Sequence, residues 1–223
     1  MNPLPFLTPC NICVVGPTMS GKTYFVMKLL NSLDFAFSVK PKKLLYCYCE
    51  WQDKFDAIQE SLPGMEFHQG LPAESFIDRW STNDGDKENT GGLIVLDDLM
   101  STVCSSLDIV HLFTIKCHHR NITTILLNQS LFPPGKHSKT LSLNCNYFIL
   151  FRNFRDTRQV SMFGSQLFPR KLAYFMDSYE KATQTAYGYL CVDLHPKSDR
   201  TYQLRSNILK DSSGPPIVYV PKV

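Results

Sequence analysis

The sequence predicts an α/β fold: a three-layer sandwich in which helices cover both faces of a mostly parallel central sheet. Short, almost wholly apolar runs recur along the 223 residues, and most are separated by stretches of helix length. Continuous apolar strands are typical of parallel sheets buried on both faces, and their alternation with helices is the pattern of α/β proteins. No repeat or linker divides the chain.

The predicted elements follow from the positions of these runs. Strands are expected at residues 11–16, 44–49, 93–98, 123–128 and 147–151, with a further strand at 187–196. Helices are expected at residues 22–33, 51–62, 73–80, 107–119 and 172–185. The polar stretches 81–92 and 130–139 are rich in Gly, Pro, Ser and Asn, and are expected to be irregular.

The length favours a single domain, because 223 residues suffice for one sizeable core. We expect residues 1–223 to form one unit, with a core of about 10–196 and a C-terminal strand and tail at 197–223. The apolar residues 217–223 are expected either to pack as an edge strand or to dock on a neighbouring subunit.

Cysteine usage and hydropathy indicate a soluble, intracellular protein. The N-terminus lacks the features of a secretory signal, and most of the eight cysteines lie in apolar runs, where a reduced thiol behaves as a small hydrophobe. Cys10-x-x-Cys13 and Cys117-His118-His119 are weaker candidates for zinc half-sites. No apolar run approaches the roughly 20 residues that span a membrane.

The formal charge of +3 is small, but positive charge is concentrated in one segment. Residues 130–175 contain seven Lys and Arg side chains against the single acid Asp156. Such a segment suits a phosphate backbone or a neighbour's nucleotide, and a solvated basic surface explains it equally well.

The first chemical motif is a glycine loop between the first strand and the first helix. Two glycines separated by four residues, followed by Lys and Thr, form the Walker A pattern, in which backbone N–H groups and the helix N-terminus cradle phosphates. Lys22 is expected to reach the β- and γ-phosphates of ATP, and Thr23 to bind Mg²⁺. The predicted phosphate-binding residues are Gly16, Pro17, Thr18, Met19, Ser20, Gly21, Lys22, Thr23 and Tyr24.

Two carboxylates and an amide complete the predicted site. The strand at residues 93–98 ends in Asp97 and Asp98, at the sheet edge where α/β proteins bind ligands. Asp97 is expected to hold Mg²⁺ as in a Walker B strand, and Asp98 to polarise the attacking water. Gln129 follows the next strand and is suited to orienting that water. This combination favours the ASCE-type ATPase branch of P-loop NTPases over the kinase and GTPase branch.

Several stretches resemble the FtsK–HerA superfamily: "GPTMSGKT", "LIVLDDLM", the block from His118 to Asp156, and the ending "LCVDLHPKS…YQLRSNI". The likeness extends from Asn11 to about Ile208 and is greatest to genome-packaging ATPases of Polinton/Maverick elements and of adintovirus-like and poxvirus-type DNA viruses. The resemblance implies a ring-forming motor that pumps double-stranded DNA into a capsid, acting at a viral assembly site, in the host nucleus or in the virion. It also implies a capsid or portal-like partner and no membrane partner.

The resemblance assigns family positions and shows one departure from the family pattern. Lys22 and Thr23 match Walker A, Asp97 and Asp98 match Walker B, and Gln129 matches the sensor. Many such motors have glutamate at the second Walker B position, and Asp98 is one methylene shorter, which leaves the rate of hydrolysis open.

DNA binding and the supply of an arginine to a neighbouring active site are expected to depend on residues outside the Walker motifs. Only fifteen residues precede Gly16, so a grip on DNA is expected from loops of the motor itself, in the basic region 136–158. Ring motors commonly supply an arginine from the adjacent subunit to stabilise the transferring phosphoryl group. Arg155 and Arg120 are the candidates for that role, and a surface or ion-pairing role is the alternative for each.

The residues leave two alternatives to a DNA-translocating ATPase. A P-loop kinase acting on a nucleoside or nucleotide would use an arginine-rich lid, which Arg152, Arg155 and Arg158 could form. A degenerate copy that binds nucleotide and serves as an interaction protein is the third possibility.

Overall fold

The computed structural model describes residues 4–81, 91–210, 212 and 214–221. The strands in this part of the chain are β1 (Asn11–Val15), β2 (Lys43–Tyr48), β3 (Met65–Gln69), β4 (Gly92–Asp97), β5 (Thr123–Asn128), β6 (Tyr147–Phe151), β7 (Tyr189–Asp193), β8 (Leu204–Ser206) and β9 (Ile217–Tyr219). They form one sheet in the order β3-β2-β4-β5-β1-β6-β7-β8-β9. Neighbours from β3 to β6 are parallel, and the last three pairs are antiparallel. The predicted mostly parallel sheet is confirmed.

Helices surround the sheet and include one π-helical segment. Their bounds are α1 (Lys22–Leu30), α2 (Leu33–Ala36), α3 (Lys54–Ser61), α4 (Glu74–Ser81), α5 (Met100–Val103), α6 (Leu107–His111), the π-helical Leu112–Lys116, α7 (Cys117–His119), α8 (Ser138–Leu143), α9 (Thr157–Leu167) and α10 (Leu172–Ala182). A 3₁₀ turn, Arg200–Tyr202, precedes β8. None of the helices in the described ranges is long and apolar enough to cross a membrane.

The core has two parts because successive side chains of a strand point to opposite faces of the sheet. In β1, Ile12 and Val14 pack with α1, α2 and α3, whereas Cys13 and Val15 pack against the face covered by α4–α6 and α8–α10. Helices therefore lie on both faces, and the predicted three-layer arrangement is confirmed. Cys10 belongs to the first face and Cys13 to the second, so this pair does not converge on one metal ion.

Several predicted boundaries were wrong for local reasons. The predicted helix 22–33 ends at Leu30, and the Ser32 hydroxyl donates to the Lys28 carbonyl (2.8 Å), which competes with helical bonding. The predicted helix 107–119 is interrupted by its π-helical segment. In the stretch predicted to be irregular, 130–139, α8 begins at Ser138. The other stretch predicted to be irregular is 81–92, and its residues 82–90 lie outside the described part of the chain.

Strand β3 and helix α9 were not predicted because their signals are weak. The edge strand β3 has the half-exposed sequence MEFHQ. Helix α9 has few apolar residues, but an N-cap marks its start: Asp156 Oδ1 accepts from the Gln159 N–H, and the Gln159 side-chain amide donates to Asp156 Oδ2. In the tail, Ile217–Tyr219 pairs with β8, so the edge-strand alternative holds for these residues.

Candidate active site

The glycine loop connects β1 to α1 at the carboxyl edge of the parallel strands, as predicted. Its Gly16 N–H donates to the Asn128 carbonyl (3.1 Å), which ties the loop to the end of β5. A Cβ at Gly16 would lie 2.6 Å from Ser20 Oγ and 2.7 Å from Phe151 Cβ, so only glycine allows this close approach. Gly21 has φ +103°, a conformation that favours glycine.

The Lys22 side chain folds back into the loop. It is buried, and Nζ donates to the carbonyls of Gly16 (2.7 Å) and Pro17 (2.9 Å). The ammonium group therefore lies inside the loop that is predicted to hold phosphates. Ser20 Oγ, in the same loop, is buried and has no hydrogen-bond partner among the described residues.

Asp97 ends β4, and its carboxylate is buried. The Tyr46 hydroxyl, from the adjacent strand β2, donates to Asp97 Oδ2 over 2.7 Å. Burial and the negative charge of Asp97 raise the pKa of Tyr46 well above its ordinary value, so the phenol stays protonated and keeps donating. This contact fixes one Asp97 oxygen and was not predicted from the sequence.

Asp98 and Gln129 are both exposed beyond the ends of their strands. Asp98 has φ +54°, a left-handed conformation that Asp tolerates better than most residues. Gln129 follows β5, which lies between β1 and β4 in the sheet. That strand order places the residue after β5 between the glycine loop, which follows β1, and Asp97, which ends β4.

One cleft of about 450 Å³ joins these groups at the carboxyl edge of the sheet. It contains most of the predicted site residues and two that were missed, Gln52 and Tyr187. Its lining is Thr18, Met19, Gly21, Lys22, Thr23, Tyr24, Gln52, Asp97, Asp98, Gln129 and Tyr187. Gly16, Pro17 and Ser20 belong to the loop but do not line the cleft. A Tyr-Gly pair just before a strand, as at Tyr187, is the sequence signal that was available.

The two candidate arginines lie elsewhere in the subunit. Arg155 is exposed in the loop between β6 and α9, outside the cleft, and its backbone N–H donates to Asn153 Oδ1 (3.0 Å). Arg120 precedes β5, at the amino edge of the sheet, and its guanidinium pairs with Asp78 (3.6 Å). Arg155 is therefore on the same edge as the cleft, and Arg120 is on the opposite edge.

The donor set fits magnesium better than a softer metal. Thr23 and Asp97 offer a hydroxyl and a carboxylate in one cleft, and Mg²⁺ in phosphate sites commonly takes one or two such protein oxygens. Groups of three or more His, Cys, Asp or Glu side chains suited to a metal are absent from the described residues.

Comparisons with known proteins agree with this architecture. No protein-family model matches the chain, and no curated protein matches its sequence. Among solved structures, the genome packaging NTPase B204 of Sulfolobus turreted icosahedral virus 2, in complex with sulfate, is similar at 12% identity and a TM-score of 0.55, over 83% of this chain and 92% of that one. Its complex with AMP gives 13% identity and a TM-score of 0.52, over 83% and 94%.

The DNA-packaging ATPase B204 of Sulfolobus turreted icosahedral virus is similar at 12% identity and a TM-score of 0.55, over 87% of this chain and 94% of that one. The chain has the fold of a P-loop NTPase. At such identities the likeness concerns the fold, and the chemistry has to be argued from the cleft.

Proposed function

We propose that this P-loop protein is a Mg²⁺-dependent ATPase that translocates double-stranded DNA. The observation that supports the proposal is that Lys22, Thr23, Asp97, Asp98 and Gln129 line one cleft at the sheet edge. The viral NTPases with a similar fold are described as packaging genomes. Together with the FtsK–HerA sequence resemblance, this favours packaging of a viral or transposon genome, of Polinton/Maverick, adintovirus-like or poxvirus type.

Each residue has a distinct chemical role in this proposal. Lys22 leaves the carbonyls of the loop and donates to the β- and γ-phosphate oxygens. Thr23 and Asp97 hold Mg²⁺, which when bound neutralises charge on the phosphates. Asp98 accepts a proton from the attacking water, and the Gln129 amide orients that water.

The proposed motor is a ring of identical subunits working at a capsid or portal-like partner, in the host nucleus or at the viral assembly site. Arg155 lies at the carboxyl edge of the sheet, as the cleft does, whereas Arg120 lies at the opposite edge. Arg155 is therefore a better candidate than Arg120 for an arginine that contacts the nucleotide phosphates of the next subunit. The other basic side chains of region 136–158 are exposed and are proposed to contact DNA phosphates: Lys136, Lys139, Arg152 and Arg158. Asp156, the single acid within residues 130–175, caps the N-terminus of α9.

Steady-state ATP hydrolysis with and without long double-stranded DNA tests the proposal. We expect DNA to stimulate wild-type hydrolysis, and added salt to weaken the stimulation because phosphate contacts release counterions. Lys22→Ala should abolish turnover. Lys181→Ala is the matched control, since Lys181 is exposed and pairs with Asp177 on α10. Normal turnover by Lys22→Ala would refute this assignment of the loop.

A mixing experiment tests Arg155 across a subunit boundary. Arg155→Ala and Lys22→Ala proteins should each be inactive, whereas their mixture should recover part of the activity. In a mixed ring, an intact loop from the first variant meets an intact Arg155 from the second. No recovery, with both variants shown to assemble, would contradict the role of Arg155. DNA-independent hydrolysis together with phosphoryl transfer to a nucleoside would indicate a kinase, and tight ATP binding without turnover would indicate a degenerate copy.

A further inference from the structure

We propose that the nucleobase stacks on Tyr187, so that the loop between α10 and β7 favours purine over pyrimidine nucleotides. This inference rests on the proposed nucleotide site and extends it to a residue that the Walker motifs do not include. The ligand class is a planar aromatic base attached to a triphosphate.

The strand order indicates how a nucleotide would be oriented in the cleft. Asp97 ends β4 and Gln129 follows β5, both on one side of the loop strand β1, whereas β6 and β7 lie on its other side. The reacting phosphate has to meet Asp97 and Gln129, so the nucleoside end extends toward β6 and β7. Tyr187 is two residues before β7, which begins opposite the last residue of β6 (Phe151↔Tyr189). Tyr187 therefore lies at the carboxyl edge, on the nucleoside side.

Contacts with the glycine loop place the ring at the mouth of the cleft. A Cβ added to Gly21 would lie 2.8 Å from Tyr187 Cδ1, so the ring lies against the residue that begins the phosphate-binding helix. Tyr187 also lines the cleft, and its side chain is 64% exposed. An N–H from Gly188 to the Thr185 carbonyl (3.0 Å) closes the turn that holds it.

The backbone at Tyr187 is unusual for a bulky residue. Its φ is +60°, a left-handed conformation that non-glycine residues seldom adopt, and residues held there cluster at ligand sites. Burial does not explain the strain, because the residue is mostly exposed. Gly21 packs against the side chain, and no aromatic ring or cation stacks on Tyr187 among the described residues.

Tyr24 is the competing candidate, since it also lines the cleft and is 56% exposed. The Lys28 ammonium lies over its ring, 4.8 Å from the centroid, so a cation already occupies one face. Tyr24 belongs to the helix that follows the loop, and Tyr187 is the ring on the nucleoside side. Stacking on Tyr187 predicts a preference for purines over pyrimidines, because the larger purine ring system overlaps the phenol more.

Binding measurements separate the base from the phosphates. We would measure affinities for Mg-ATP, Mg-CTP and inorganic tripolyphosphate with wild type, Tyr187→Ala, Tyr187→Phe and Tyr24→Ala, and with Tyr202→Ala as an exposed control outside the cleft. Tyr187→Ala should weaken Mg-ATP about tenfold, the scale of losing one base–aromatic stack. It should leave tripolyphosphate binding unchanged, and Tyr187→Phe should bind Mg-ATP like wild type.

The outcomes separate this inference from the function on which it rests. Unchanged ATP affinity in Tyr187→Ala, equal losses for ATP and tripolyphosphate, or a selective ATP loss in Tyr24→Ala alone would each overturn the role of Tyr187. If wild type binds neither ATP nor tripolyphosphate, or if Lys22→Ala binds both normally, the nucleotide site itself is wrong and the inference falls with it.

Discussion

The Tyr46 hydroxyl donates to Oδ2 of Asp97 over 2.7 Å, between two buried residues that are 51 positions apart. Strands β2 and β4 are neighbours in the sheet, which brings the phenol to the carboxylate. The bond engages one oxygen of the proposed magnesium ligand, a residue that also lines the cleft. We therefore propose that Tyr46 is a positioning residue that acts through Asp97.

Tyr46→Phe should raise the Mg²⁺ concentration needed for half-maximal ATP hydrolysis. Hydrogen bonds to charged groups contribute about 1.5–3 kcal/mol, so we expect an effect on the order of tenfold or more. A titration of activity against Mg²⁺ measures it. Tyr147→Phe is the control, since that buried hydroxyl accepts from the Leu7 N–H (3.0 Å) far from the cleft. Equal magnesium requirements in the two variants would rule out the positioning role.

Gln129→Ala should bind ATP normally and hydrolyse it slowly. The residue is exposed in the cleft beyond β5, so its loss leaves the sheet and the phosphate loop intact. Loss of one positioned polar group commonly costs about a hundredfold in rate. Equilibrium binding and single-turnover hydrolysis separate the two effects. A parallel loss of ATP affinity would indicate that Gln129 holds the nucleotide instead.

The sequence predicted the elements whose residues are buried along their whole length. Strands β1, β4, β5 and β6 read as continuous apolar runs, and the chemistry predicted at Lys22 and Asp97 follows from where two of those runs end. The Tyr46–Asp97 bond could not be predicted in this way, because it depends on which strands are neighbours. Periodicity carries information about faces of an element, and none about strand order.

The same limit explains why Tyr187 was missed. Its predicted strand began at residue 187, whereas β7 begins at Tyr189 and Tyr187 lies in a left-handed turn against Gly21. A tyrosine before a glycine reads equally well as the start of a strand. Only the close approach of two loops, 166 positions apart in sequence, distinguishes the two.

Gln159 connects the segment after Gln129 to α9. Its Oε1 accepts from Ser130 Oγ (2.8 Å) and from the N–H groups of Leu131 (3.0 Å) and Phe132 (3.3 Å). Gln159→Met keeps the volume but leaves these donors without their acceptor, so we expect a loss of about 1–3 kcal/mol in the free energy of unfolding. Urea unfolding measures it, with the exposed Gln166→Met of the same helix as control. Equal stabilities would show that water replaces the lost contacts.

The reactivity of the cysteine thiols should show which of them are buried in the folded protein. All eight cysteines are free, and Cys49 alone among them is exposed. A thiol reagent should therefore label one cysteine rapidly in the native protein and eight in urea. Rapid labelling of more than one would contradict the buried positions, and Cys49→Ser should remove the fast phase.

Alkaline pH should destabilise the protein through the same thiols. Burial raises the pKa of Cys47 and of Cys117 to about 12 and that of Cys191 to about 11, from an ordinary thiol pKa of 9.0. Above pH 9 the unfolded chain loses these protons while the folded chain keeps them, so the free energy of unfolding falls as pH rises. Urea unfolding at pH 8 and pH 10, with reductant, measures the loss, which Cys47→Ala should reduce. A stability that stays constant or rises over this interval would contradict the prediction.

A buried ion pair holds the antiparallel end of the sheet together. Arg205 Nη2 donates to Asp193 Oδ2 (2.8 Å), and Nη1 donates to the Leu4 carbonyl (3.2 Å). Arg205→Met should lower the free energy of unfolding by about 3–5 kcal/mol, because it leaves a buried carboxylate without its partner. The double variant Arg205→Met/Asp193→Asn should recover part of the loss, since no uncompensated charge remains.

The pH dependence of the Arg205→Met defect checks this explanation. Burial already raises the pKa of Asp193, with Arg205 acting in the opposite direction, so loss of Arg205 should raise that pKa further. A carboxyl whose folded pKa is raised favours folding at low pH and loses that contribution as pH rises through the folded pKa. The deficit of Arg205→Met relative to wild type should therefore be smaller at pH 5 than at pH 8. An equal deficit at both would assign the loss to packing and to the Leu4 contact rather than to the unpaired charge.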